Sequence, residues 1–239
     1  MNNLLSQFEC IYIINLASRA DRRREMSDQL VGVGLHLDSM PVQLFSAVKP
    51  ADAGEFPSIG SRGCFLSHLG ILQRARDEGL RSVLILEDDL NFVADFAERS
   101  VSLSQQWTGS ASSIFYGGGA VELETSRDRE FGLMPVSPNT PVGLTHFLGF
   151  RGVECISDAV GYLEAMSARS AGDPEGGPMH VDGAYSWFRR AHPQYQTVIA
   201  HPEIGYQRAS RTDIHALRWF DKLAGVRSVV DFVRRLRNG

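Results

Sequence analysis

Apolar residues come in short blocks whose period changes along the chain. Residues 10–15, CIYIIN, are β-branched and aromatic without a break, which predicts a buried strand. The stretch after it carries Met26, Leu30 and Val33 at helical spacing, with Ser18 and Asp21 at the separation of a capping box and Gly32 or Gly34 as a stop. Val42–Val48 predicts a second strand. Lys49–Ser61, with its prolines and glycines, predicts a loop. In Cys64–Arg76, Phe65, Leu69 and Leu72 share one helical face, and Gly79 follows as a C-terminal stop. Ser82–Leu86 is again continuously apolar. Strand, helix, strand, helix, strand predicts an α/β fold with a mostly parallel central sheet flanked by helices.

Further along, Ile114–Tyr116, Thr145–Phe150 and Thr197–Ala200 predict strands, and Ile156–Ala168 and Val181–Arg190 predict helices. Glu122–Gly143 holds Pro135, Pro138 and Pro141 without a clear period, so a mobile loop or lid is expected. Gly117-Gly118-Gly119 could let the backbone approach a ligand, but no G-x-G-x-x-G opens a helix there, and a flexible connector is the reading preferred.

The third strand runs directly into Glu87-Asp88-Asp89. In an open parallel sheet, ligands bind beyond the carboxyl ends of the strands. Glu87 and Asp89 are two residues apart, so in an extended chain they face the same way. Two unpaired carboxylates about 5 Å apart repel by roughly 3 kcal/mol at an effective dielectric near 20. A hard divalent cation, Mg²⁺ or Mn²⁺, removes that cost. The bland alternative is a solvated acidic turn or a helix start decorated with acids. Arg19, Arg22, Arg23 and Arg24 follow the first strand at a helix start, where backbone N–H groups and guanidinium groups suit phosphate. Their alternative is an exposed basic face paired with Asp21, Glu25 and Asp28. Acids and arginines on one rim would together suit a metal-bridged diphosphate.

Composition narrows the classes. The 239 residues carry a formal net charge of −4, which gives no basic field to recruit nucleic acid. Cys10, Cys64 and Cys155 are odd in number and widely spaced, which predicts a reducing compartment. No positive n-region precedes an apolar run at the N-terminus, and no run is of membrane-span length, so a soluble cytoplasmic protein is expected.

YIINLASRADRRREMSDQL, GCFLSHLGILQRARDEGLRSVLILEDDLNF and VDGAYSWFRRAHPQYQTVIAHPEIGYQRASRTDI together resemble glycosyltransferase family 25, which includes bacterial lipooligosaccharide galactosyltransferases and the galactosyltransferases that modify collagen. The resemblance implies a GT-A-like fold over residues 1–214, a UDP-sugar donor, Mn²⁺ or Mg²⁺, and inverting transfer, galactose first, to a saccharide or glycolipid acceptor such as a surface-glycan precursor. It places Glu87-Asp88-Asp89 at the metal-binding motif, here Glu-x-Asp rather than Asp-x-Asp, with Asp89 as a direct ligand, Glu87 as a second ligand or a contact to ribose or a metal-bound water, and Asp88 beside the substrate. The donor contacts it implies are Asn15, Arg19, Arg22, Arg23, Ser67, His68 and Gln207, with Ser210 and Asp213 as late polar contacts. His201, before Pro202, is a third metal-ligand candidate, or else an edge-strand histidine. Ser67 and His68 are alternatively a helix-face pair with a satisfied imidazole.

An acceptor hydroxyl must lose a proton as it attacks, so a carboxylate base is needed. Asp182, in HVDGAYSW, heads an apolar helical stretch and is the candidate; an N-cap aspartate is the plainer reading. Residues 215–239 hold Trp219, Phe220, Leu223, Val226, Val230 and Val233 at helical spacing among six Lys and Arg residues. That amphipathic basic helix suits either peripheral contact with an anionic membrane or docking on the body or a dimer partner. Two other classes stay open. One is a noncatalytic sugar-nucleotide-binding or interaction protein that keeps the fold. The other is a receiver-type phosphoryl acceptor, against which stands Asn15 where a receiver's first strand carries its acid pair.

Overall fold

The computed structural model describes residues 3–37, 39–121 and 131–208. The segment 215–239, Ser210 and Asp213 lie outside the described residues, as do residues 122–130 of the Glu122–Gly143 stretch. In chain order the elements are β1 (Cys10–Asn15), α1 (Ala20–Gly32), β2 (Val42–Ser46), α2 (Ile59–Asp77), β3 (Ser82–Glu87), β4 (Leu90–Phe92), α3 (Phe96–Gly109), β5 (Ile114–Tyr116), β6 (Gly132–Val136), β7 (Phe147–Arg151), α4 (Val153–Ala168), α5 (Val181–Ala191), β8 (Thr197–His201) and β9 (Gly205–Gln207).

Seven strands form one sheet in the order β2-β1-β3-β7-β5-β8-β6, and β4 pairs with β9 apart from it. β2, β1 and β3 are parallel; β7 runs against both β3 and β5; β8 follows β5; and β6 runs against β8. The sheet is therefore mostly parallel and flanked by helices, as expected, with β7 and β6 as the two reversed strands. Burial on both faces explains the unbroken apolar runs. Ile11, Ile13, Leu84 and Leu86 point into one core with Met26, Leu103 and Trp107, from α1 and α3. Tyr12, Val83 and Ile85 point into the other with Phe65, Leu72, Leu163 and Phe188, from α2, α4 and α5.

Several expectations are corrected. α2 begins at Ile59, inside the expected loop, because Ser58 accepts the Ser61 N–H at 3.0 Å and caps it. The Ser18/Asp21 capping box does not form: Arg19 is the cap residue, without a side-chain cap bond, and Asp21 pairs with it at 2.7 Å. Residues 132–136 are a strand rather than part of a loop. Gly117-Gly118-Gly119 is no flexible connector. A Cβ on Gly118 would stand 2.1 Å from the Gly205 carbonyl oxygen, and one on Gly117 would enter the Phe147 ring at 2.5 Å. The Ile204 N–H donates to the Gly117 oxygen at 2.8 Å, so this glycine run is where β9 crosses close over the end of β5.

Candidate functional site

β1 and β3 end side by side, with Ile14 opposite Glu87. The chain leaves β3 through a turn at Asp88-Asp89 into β4. The extended geometry expected for the triplet therefore stops at Glu87, and the three carboxylates take different partners. Asn15 Nδ2 donates to Asp88 Oδ2 at 2.6 Å and to the Arg19 carbonyl at 3.1 Å. Arg22, in the first turns of α1, donates Nη1 to Asp88 Oδ1 at 3.0 Å and to Asp89 Oδ2 at 3.2 Å. Gln207, at the end of β9, donates Nε2 to Asp89 Oδ2 at 3.2 Å. Thr145 Oγ1 donates to Glu87 Oε1 at 2.9 Å.

This arrangement leaves negative charge in excess. Asp88 and Asp89 are buried and share one guanidinium, and Asp89 Oδ1 is buried with no partner. Burial first, then the neighbouring Glu87 carboxylate, push the Asp89 carboxyl up to about 7, against the pull of Arg22. Burial also works to raise Glu87, but the nearby imidazoles of His68 and His146 and the Thr145 hydroxyl more than offset it and hold that carboxyl below its usual range. An orphaned carboxylate oxygen beside a second carboxylate is an oxygen-donor setting that fits a hard divalent cation.

A cleft of about 140 Å³ opens beside the triplet, and Cys64, Glu87, Leu144, Thr145, Asp182 and Gln207 are on its wall. Asp182 is not the N-cap of α5. His180 holds that position, and Asp182 sits in the first turn, with Oδ1 accepting the Gly183 N–H at 2.8 Å and Oδ2 accepting the Leu144 N–H at 3.4 Å. Leu144 has φ +67°, a left-handed conformation unusual for a non-glycine residue, and it turns its N–H toward Asp182. Segments near residues 87, 144, 182 and 207 thus meet at one opening.

Other expected site residues fall elsewhere. Arg19 is half-buried and bound to Asp21, and Arg23 is exposed on α1. Ser67 is fully buried; its hydroxyl donates to the Gly63 carbonyl at 2.7 Å and accepts the Val48 N–H at 2.9 Å, so it ties the β2–α2 connection rather than meeting a ligand. His68 is fully buried beneath the cleft, with Nδ1 3.3 Å from the Tyr185 hydroxyl and Nε2 3.6 Å from Glu87 Oε1. His201 pairs with Gly132 at the far side of the sheet, where β8 lies three strands from β3, about 14 Å at ordinary strand spacing. The structure does not bring His201 to the acid triplet.

Sequence reasoning passed over Thr145, His146 and Leu144. His146 is buried, its Nε2 is 3.2 Å from the Gly205 carbonyl, and burial lowers its pKa. The signal available was a polar Thr-His pair entering the apolar FLGF run. Its meaning depends on β7 running antiparallel, which brings the start of β7 to the end of β3.

Residues 51–121 match the profile of glycosyltransferase family 25 (LPS biosynthesis protein), an interval that holds α2, β3 and the acid triplet. Over that interval the chain is similar to the family. The chain is 30% identical over 115 residues to procollagen galactosyltransferase 1 of Danio rerio, covering 41% of this chain and 19% of that protein. It is 30% identical over 93 residues to the lacto-N-neotetraose biosynthesis glycosyltransferase LgtE of Neisseria gonorrhoeae, covering 33% of this chain and 31% of that one. It is 32% identical over 108 residues to the human inactive glycosyltransferase 25 family member 3, covering 38% of this chain and 18% of that one. The matches therefore span from under a fifth to under a third of these relatives. Among solved structures, a glycosyltransferase involved in glycosylation of the major capsid of PBCV-1 aligns over 85% of this chain and 96% of its own, at 11% identity and a TM-score of 0.46. Asn15, Arg22, Asp182 and Gln207 lie outside the family segment, and the fold alone brings them to it.

Proposed function

We propose that this chain is an inverting glycosyltransferase that moves a hexosyl group, galactose in the first instance, from a UDP-sugar to a saccharide acceptor such as a surface-glycan precursor. One observation carries the reading: Glu87, Gln207 and Asp182, from three distant segments, line one cleft beside the Asp88–Arg22–Asp89 cluster. Glu87 and Asp89 are the residues that would hold Mn²⁺ or Mg²⁺, a cation that offsets the charge gathering on a departing diphosphate. Arg22 holds Asp88 and Asp89 in place through one guanidinium. Asp182 Oδ2 takes the proton of the attacking acceptor hydroxyl, since its carboxylate faces the cleft and its existing partners are both backbone N–H groups.

Calorimetric titration of UDP in the presence of Mn²⁺ tests the donor half. Asp89→Asn should weaken binding at least tenfold while wild-type UDP binding remains metal-dependent; equal affinity in the two proteins would remove Asp89 from the site. A noncatalytic sugar-nucleotide-binding protein is the second reading, favoured by the 32% identity to a human relative whose name calls it inactive. Incubation with UDP-galactose, Mn²⁺ and a panel of saccharide acceptors separates the two readings, because donor binding without product formation would favour the second.

A further inference from the structure

Beneath the cleft, the Cys64 thiol, His68 and Glu87 each offer a ligand atom within 4.8 Å of the others. Cys64 and His68 are four residues apart on α2, one helical turn, so the helix presents thiol and imidazole from the same face. Glu87 reaches them from the end of β3. His68 is fully buried, and its Nε2 has no hydrogen-bond partner. A buried ring nitrogen without a partner is costly to keep, and this one faces a carboxylate oxygen at 3.6 Å.

We propose that Cys64, His68 and Glu87 form a binding site for a soft divalent cation of the zinc class, separate from the hard-cation site at Asp89 but sharing the Glu87 carboxylate with it. Thiolate, imidazole and carboxylate are the donor set that zinc takes, and a thiolate ligand selects against Mg²⁺ and Mn²⁺. Three protein ligands leave a fourth position, and Cys64 and Glu87 line the cleft, so that position opens to it. On binding, the Cys64 thiol releases its proton to solvent as the sulfur–metal bond forms, while His68 binds as neutral imidazole and Glu87 as carboxylate. Two negative ligands and a doubly charged cation sum to zero, which suits a buried setting. His68 Nδ1–H then donates to the Tyr185 hydroxyl 3.3 Å away and fixes the ring with Nε2 toward the metal. The assignment does not depend on the transferase reading.

Cobalt(II) added to the untagged, chelator-treated chain tests the site, because a thiolate ligand gives a sulfur-to-cobalt charge-transfer band. Cys10 and Cys155 are buried and belong to no ligand cluster among the described residues, so the band would report Cys64. The expected result is a 1:1 titration with tetrahedral cobalt bands that Zn²⁺ abolishes by displacement. Cys64→Ser should lose the charge-transfer band, and Glu87→Gln should weaken cobalt binding at least tenfold while the circular dichroism stays that of wild type. Asp89→Asn should keep the band, which separates this site from the donor site. No charge-transfer band in wild type, or an undiminished band in Cys64→Ser, would overturn the proposal. Wild-type cobalt affinity in a folded Glu87→Gln protein would do the same.

Discussion

The two walls of the cleft hold their carboxylates in opposite ways. On one wall stands Glu87, with Asp88 and Asp89 following it beside the cleft, and the three acids are crowded and gripped by side chains from four other segments: Asn15, Arg22, Thr145 and Gln207. On the other wall Asp182 stands as a single acid held by two backbone N–H groups. Burial first, and then crowding by Glu87, raise the free energy of the charged Asp89 carboxylate and make an added cation favourable. A base that must meet an incoming hydroxyl needs room and an accessible lone pair instead. The proposed roles, a cation at the first wall and a proton acceptor at the second, rest on this contrast.

The largest effect that would break this contrast is on rate. Asp182→Asn keeps the shape of the side chain and removes the base, so product formation should fall about 10²- to 10⁴-fold while UDP affinity stays at the wild-type level. Near-normal turnover would place the proton acceptor elsewhere and leave Asp182 as a clasp on Leu144. On the crowded wall, Arg22→Ala withdraws the guanidinium shared by Asp88 and Asp89. That should cost about 3 kcal/mol in urea denaturation at neutral pH, the usual loss when one partner of a buried pair is removed. Mn²⁺ should restore part of it, since the cation and Arg22 answer the same excess charge. A cost near zero would mean that solvent already relieves the crowding.

Much of the acid wall was legible because it is contiguous: an apolar strand that ends in three acids declares both its position and its charge. Asn15 and Arg22 were legible for the same reason, since β1 and β3 are neighbours in a parallel sheet and their ends coincide. Thr145, His146 and Leu144 were not, because nothing local says that β7 inserts antiparallel between β3 and β5. His201 was misplaced by the same gap, since its distance from the triplet is set by strand order. The glycines at 117–119 show a further limit. Flexibility and close packing demand the same residue, and only the nearby path of β9 tells them apart.

A smaller effect follows from pH. The Asp89 carboxyl sits at about 7 in the folded protein against an ordinary 3.8. Between those values the folded chain holds a proton that the unfolded chain has released, so stability falls as pH rises through the window. Wild type should therefore lose Tm more steeply across it than Asp89→Asn, which has no carboxyl to ionise there. Added Mn²⁺ should flatten the wild-type curve by favouring the ionised form. Parallel curves for the two proteins would show that Asp89 is ionised throughout and that the wall is less crowded than its geometry implies.

The finest test concerns the contact that joins the walls. Thr145 follows Leu144, whose N–H points to Asp182, while its own hydroxyl donates to Glu87 at 2.9 Å. One dipeptide therefore touches both sides of the cleft. Thr145→Val preserves the branched shape and removes the donor, and Glu87 is open enough, at 20% side-chain exposure, for water to replace part of the loss. The expected cost is about 1 kcal/mol, with a coupling of similar size in a double-mutant cycle with Glu87→Gln. Loss of the donor also removes one of the influences that hold the Glu87 carboxyl low, so that carboxyl should move up. If the cycle gives no coupling, Glu87 is positioned by its imidazole neighbours alone, and the dipeptide serves only the Asp182 side.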